Sequence, residues 1–234
     1  MVVYGRNKEG KIGKFLFRVM LIALVAAMIC VIMAAASADK KITVIIDPGH
    51  GGQDGGAVGI TGVYEKDLNL QMSMFLKEYF ENAGVKVIMT RTEDADTDGM
   101  EGFHKTEDIM NRYYLSQRYP DGIFLSVHMN SSTSSADKGF QVFYGSENET
   151  SKDLAQYVYD SVEESALVTR LREVKAAPRT VYLMNHLTSP CILLECGFIS
   201  NTADSELLTD SAYAKDLAYV LFCGVKGYID EVVK

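Results

Sequence analysis

Apolar positions follow two different patterns along this 234-residue chain. From Val19 to Ala38 no charged residue interrupts the run. Beyond Asp39 they fall into short β-rich runs and helically spaced sets, which predict alternating strands and helices. Ile42–Ile46 and Ile123–Val127 read as strands, as do Val85–Thr90, Gly139–Tyr144 and Cys191–Leu194. Val181–Met184 is a weaker strand pattern. Glu65–Ala83 carries Leu68, Met72, Phe75, Leu76 and Tyr79 at helical spacing, with Gly84 as a natural stop. Thr106–Tyr119 predicts a second helix. A third begins near Thr150, read as a cap with Asp153, and a last one near Ser211. This alternation predicts an α/β fold: one domain over residues 39–234, with a mostly parallel central sheet flanked by helices.

The first 38 residues read as a separate N-terminal segment. Arg6, Lys8, Lys11, Lys14 and Arg18 precede the apolar run, opposed only by Glu9. Basic, then apolar, then small is the order of an export signal. Ala36-Ser37-Ala38 offers a cleavage pattern, but the run is also long enough to span a bilayer. Its length favours an uncleaved membrane anchor with the basic flank inside. Either outcome places the remainder outside the cytoplasm. That remainder is more acidic than the whole chain's net charge of −8 and carries no Lys/Arg cluster, which excludes a nucleic-acid binder. Cys191, Cys196 and Cys223 form no C-x-x-C pair, so small buried thiols are expected, not a disulfide framework.

Chemistry gathers at the ends of three strand-like runs. Ile42–Ile46 leads into Asp47-Pro48-Gly49-His50, Ile123–Val127 ends on His128, and Cys191–Leu194 ends on Glu195. Open α/β sheets bind ligands beyond the carboxyl ends of their strands. Glu65 opens the helix after the first strand and so arrives at the same edge. Imidazoles with a carboxylate suit zinc, which commonly takes three protein ligands and a water. The set fits His50, Glu65 and His128 as ligands, with Glu195 as the proton shuttle that hydrolysis needs. Spacing alone is a weak signal, because no H-E-x-x-H helix is present. Glycines 49, 51, 52, 55 and 56 crowd around His50, yet the loop lacks the Gly-Lys-Ser/Thr of a phosphate loop, and Asp54 takes the third glycine of G-x-G-x-x-G. A plain strand-to-helix turn is the bland alternative.

Four segments resemble the ordered motifs of zinc-dependent N-acetylmuramoyl-L-alanine amidases. They are Ile45–Gly52, Glu65-Lys66, Ser126–Asn130 and Leu194–Asn201. The resemblance implies zinc ligands at His50, Glu65 and His128 and a catalytic residue at Glu195. It also implies cleavage of the amide between N-acetylmuramic acid and L-alanine in peptidoglycan. A single N-terminal apolar segment, no wall-binding repeats, and Lys105-Thr106-Glu107-Asp108 after a polar insertion are similar to spore-cortex amidases, which prepare muramic acid for conversion to its δ-lactam. A general autolysin or cell-separation amidase is the rival. An inactive binding module and a zinc peptidase acting on the stem are the other readings. An activating partner protein is left unidentified.

The remaining candidates read more blandly. His104 and His186 are expected to be solvated loop residues. Asp47 either orients a ligand or makes the turn before Pro48, and Asn130 either meets substrate or fixes its loop. Arg91 reads as a surface charge. The insertion from Glu93 to Glu107 predicts a mobile surface loop near the cleft.

Overall fold

The structure is a computed structural model that describes residues 6–36, 42–99, 102 and 104–233, with side chains described from residue 13 to 29 and from 42 onward within those limits. The chain divides into two compact units, Met1–Lys41 and Ile42–Lys234. In the first, Arg6–Ala36 forms helix α1, and its described side chains are exposed. The Ala36-Ser37-Ala38 cleavage pattern and part of the apolar run lie outside the described residues. Among the described residues, no helix is long and apolar enough to cross a membrane.

The second unit contains strands β1 (Thr43–Pro48), β2 (Lys86–Met89), β3 (Ile123–Asn130), β4 (Gln141–Tyr144), β5 (Lys175–Ala176) and β6 (Cys191–Phe198). Its helices are α2 (Glu65–Asn82), α3 (Lys105–Gln117), α4 (Thr150–Ser165), α5 (Thr202–Thr209) and α6 (Ser211–Tyr228). The sheet order is β2-β1-β3-β6-β4-β5. Only the β4–β6 pairing is antiparallel among the described strands, as the mostly parallel prediction requires. Val44, Ile46, Ile123, Leu125, Val127, Ile192 and Leu194 face a core completed by α2, α4 and α6. Ile45, Phe124, Cys191 and Leu193 point to the other face, against Leu183, Met184 and Leu187. Both faces are buried, so the central strands are continuously apolar.

Several local predictions need correcting. Val181–Met184 is not a strand; Leu183–Asn185 forms a 3₁₀ turn, closed by Asn185 N–H on the Tyr182 carbonyl. β3 and β6 run past their apolar stretches to Asn130 and Phe198, because each pairs with the other through a register shift. α6 is capped by Asp210, whose Oδ1 accepts from Ala212 N, and not by Ser211. Asn148 accepts from the Thr150 N–H and hydroxyl, the service expected of Thr150 itself. α3 turns a charged face inward: Asp108, Arg112 and Ser116 are its buried residues.

Candidate metal centre

β1, β3 and β6 are parallel, so their carboxyl ends share one edge of the sheet. His50 follows β1 by two residues, and His128 and Glu195 are direct partners on β3 and β6. Glu65 is the first residue of α2, where the helix dipole favours a carboxylate. The loop returns to that helix through Glu65 N on the Ala57 carbonyl and Ala57 N on Glu65 Oε2, the latter at 3.0 Å.

The turn carrying His50 is tightly constrained. His50 has φ of +61°, a left-handed conformation that costs a non-glycine residue about 1–3 kcal/mol. Gly49 packs so closely on His128 that a Cβ there would lie 2.2 Å from the imidazole. Two arginines then hold the carbonyls. Arg91 donates to Pro48 O (3.0 Å) and Gly49 O (3.0 Å), and Arg112 to Pro48 O (2.9 Å) and His50 O (2.8 Å). Arg91 also reaches the carbonyls of Lys66 and Glu93. It is buried, which overturns the surface-charge reading: its fork matches a cluster of main-chain oxygens on the His50 turn, at the start of α2 and in the insertion.

Asp47 acts on the His50 turn only at one remove, through side chains of other elements. Its Oδ1 meets Arg112 at 2.6 Å and Thr90 Oγ1 at 2.7 Å, and Oδ2 accepts from Ser126 at 2.8 Å. Arg112 carries that tether on to the His50 carbonyl. Asp108 completes the charge balance, 2.9 Å from Arg112 Nε. Burial pushes the Asp47 carboxyl up, but Arg112 and the three hydrogen bonds outweigh it and hold Asp47 below the usual carboxylate range.

At the centre, Glu65 lies between the two imidazoles. Its Oε2 is 3.3 Å from His50 Nε2 and its Oε1 is 3.0 Å from His128 Nδ1. The three residues present ligand atoms all within 4.8 Å of one another, the grouping of this kind found among the described residues. Each imidazole keeps 20 % of its side chain exposed, so the centre is open to water and substrate on one side. Burial alone would lower the His50 pKa, but Glu65 and Asp54 raise it to about 8; Asp54 Oδ2 stands 2.9 Å from His50 Nδ1. Burial would raise Glu65, and the two imidazoles reverse this and drive it far below its ordinary value. Two imidazoles and an anionic carboxylate form a donor set that fits a zinc ion.

Glu195 differs from Glu65. Its Oε2 is shielded from solvent and has no hydrogen-bond partner among the described residues. Burial pushes its pKa up to about 7, with Glu65 adding to the rise and the histidines opposing it. A carboxyl in that range can accept a proton and return it near neutral pH.

The other candidates sort out as follows. His104 is exposed near Asp98, and His186 stacks on Tyr182 at 3.9 Å between ring centroids, so neither joins the centre. The Asn130 carbonyl accepts from Ile199 N, while its side chain makes no hydrogen bond among the described residues. The start of the insertion is tied down, not loose: Asp94 accepts from Gly52 N and Lys66 Nζ, and Thr97 bonds Asp108. Residues 100, 101 and 103 of that insertion lie outside the described set. Sequence reasoning missed Arg112, Asp108 and Asn69. The i, i+4 spacing of Asp108 and Arg112 was visible, but such pairs are more often solvated.

Comparison with known proteins places the fold in a family. The N-acetylmuramoyl-L-alanine amidase family matches residues 44–226. A germination-specific N-acetylmuramoyl-L-alanine amidase of Bacillus subtilis is 33% identical over 192 residues, 80% of each chain. The CwlD amidase of Clostridioides difficile, solved in complex with the GerS lipoprotein, superposes with a TM-score of 0.72 at 30% identity, covering 81% of this chain and 98% of that one. The catalytic domain of CwlV, an amidase of Bacillus (Paenibacillus) polymyxa, gives 0.70 at 28% identity over 81% of this chain and 98% of its own. A family match over nearly the whole second unit, with similar relatives in sequence and in fold, makes this chain a member of the N-acetylmuramoyl-L-alanine amidase family.

Proposed function

We propose that this chain is a zinc-dependent amidase acting on peptidoglycan outside the cytoplasmic membrane, in maturation of the spore cortex. The observation that carries the reading is the convergence of His50, Glu65 and His128 beside Glu195 at one sheet edge. His50, Glu65 and His128 would hold the ion. When bound, zinc supplies a Lewis acid for the lactyl carbonyl and brings the pKa of water to about 7. Glu195 takes a proton from the attacking water, whose oxygen joins the carbonyl carbon. It then delivers the proton to the nitrogen of L-alanine as the C–N bond breaks, because an amide anion is too basic to leave unprotonated. The products are a free lactyl carboxylate and a stem peptide with an amino terminus.

The cortex role is supported by the germination-specific relative, and a protein partner by the lipoprotein complex of the Clostridioides difficile relative. Residues 1–38 serve in this reading as export signal or anchor, and 39–234 as the catalytic domain. The test pairs elemental analysis with mass spectrometry of digested muropeptides. Wild type should hold zinc and release stems beginning with alanine, and His128→Ala should lose both. Shortened stems would indicate a peptidase and unchanged muropeptides a binding module. Full zinc occupancy in His128→Ala would refute the ligand assignment.

A further inference from the structure

Asn69 lies one turn along α2 from Glu65 and is fully buried. Its Nδ2 stands 3.1 Å from the Gly49 carbonyl and 3.4 Å from Glu65 Oε1. Both neighbours are acceptors, so the amide nitrogen must face them. Its Oδ1 is also buried and has no hydrogen-bond partner among the described residues. An unsatisfied buried amide oxygen costs about 1–3 kcal/mol, and native proteins tolerate few such groups. A leucine of nearly the same shape would avoid that cost. Neither acceptor depends on Asn69 for its satisfaction: Gly49 O also receives Arg91 Nη2, and Glu65 Oε1 also receives Met129 N at 3.3 Å. Folding therefore gives little reason for an asparagine at this position.

Its placement gives another. Gly49 belongs to the turn that presents His50, and its backbone packs against the His128 ring. Glu65 Oε1 is the oxygen beside His128 Nδ1. The amide of Asn69 thus bridges the segment that sets both histidines and the carboxylate between them. Resting on the metal-centre reading above, we propose that Asn69 is a positioning residue that fixes the Glu65 carboxylate and the His50 turn in the arrangement that receives the metal. It does so at the expense of its own unpaired oxygen.

This makes stability and metal affinity separable. In the full chain, Asn69→Leu should leave the melting temperature of the metal-free protein unchanged or higher, since the unpaired oxygen is gone. Its zinc dissociation constant, measured by competition with a chromogenic chelator, should rise about 10- to 100-fold, the usual loss when a group orienting a ligand is removed. The visible absorption of the cobalt-substituted protein should change with it. Asn69→Ala serves as the second variant: it should melt lower because it leaves a cavity, yet weaken zinc by the same factor, because the shared loss is the amide. Zinc affinity equal to wild type in either folded variant, or affinity that tracks melting temperature across the two, would overturn the proposal. Wild-type protein that binds zinc, with His128→Ala losing it and the Asn69 variants keeping it, would overturn this inference alone. Wild type that binds none would overturn the metal centre and this inference together.

Discussion

Two glutamates occupy one site under opposite conditions. Glu65 sits between two imidazoles and is held ionised; Glu195 has an oxygen with no partner and is pushed up to about 7. The first suits a permanent ligand and the second a group that exchanges protons. Glu195→Gln keeps the shape and removes the exchange, so turnover should fall about 100- to 10,000-fold with zinc content unchanged. Both quantities should be read on one protein sample. Lost zinc would make Glu195 a ligand, and near-normal turnover would remove it from the mechanism. The convergence of His50, Glu65, His128 and Glu195 was legible in the sequence because each stands where an apolar strand gives out or a helix begins. Arg91, Arg112 and Asn69 were not. Arg112 and Asn69 lie inside helices where polar residues normally face water, Arg91 follows β2 by two residues, and only the folded chain shows that all three turn inward onto main-chain carbonyls.

The same contrast holds for whole elements. The strands were readable because both sheet faces are buried and the runs are continuously apolar, while their ends were not, since β3 and β6 continue through polar residues by pairing with each other. α3 was readable as a helix but not as a strut. Its buried face is charged, and through Arg112 it joins β1 at Asp47 and the His50 turn, with Thr90 and Ser126 closing on Asp47 from beside β2 and from β3. The network has a pH signature. Asp47 titrates below its ordinary range in the native protein, so the native state binds that proton more weakly than the unfolded chain does. The stability it contributes is complete above about pH 5, where the unfolded carboxyl is ionised, and fades as pH falls toward the native value. Asp47→Asn leaves Arg112 without its main counter-charge and should lower stability at pH 7 by about 3–5 kcal/mol. Its stability should also decline less steeply than wild type below pH 4. Denaturant unfolding of the metal-free proteins at pH 7 and pH 3 measures both. Parallel pH profiles for the two would show that Asp47 is not held as described.

At the scale of the whole molecule, the chemistry requires a location. Peptidoglycan lies outside the cytoplasmic membrane, so an amidase acting on it must have its second unit, Ile42–Lys234, on that side. In the proposed reading, the first unit carries the instruction in its charge order. Arg6, Lys8, Lys11, Lys14 and Arg18 precede the uncharged run from Val19, and basic residues beside an apolar segment stay on the cytoplasmic face. A protease added to intact protoplasts should therefore digest the chain beyond Asp39 while leaving the basic flank protected. Probing the membrane fraction with an antibody against residues 1–18 separates anchor from signal. A protected N-terminal fragment that stays with the membrane means the segment is retained, and a mature chain starting at Asp39 in the medium means cleavage after Ala38. Complete protection of the second unit in intact protoplasts, with full digestion once they are lysed, would place the catalytic domain inside. The peptidoglycan assignment would then fail whatever the zinc centre does in solution.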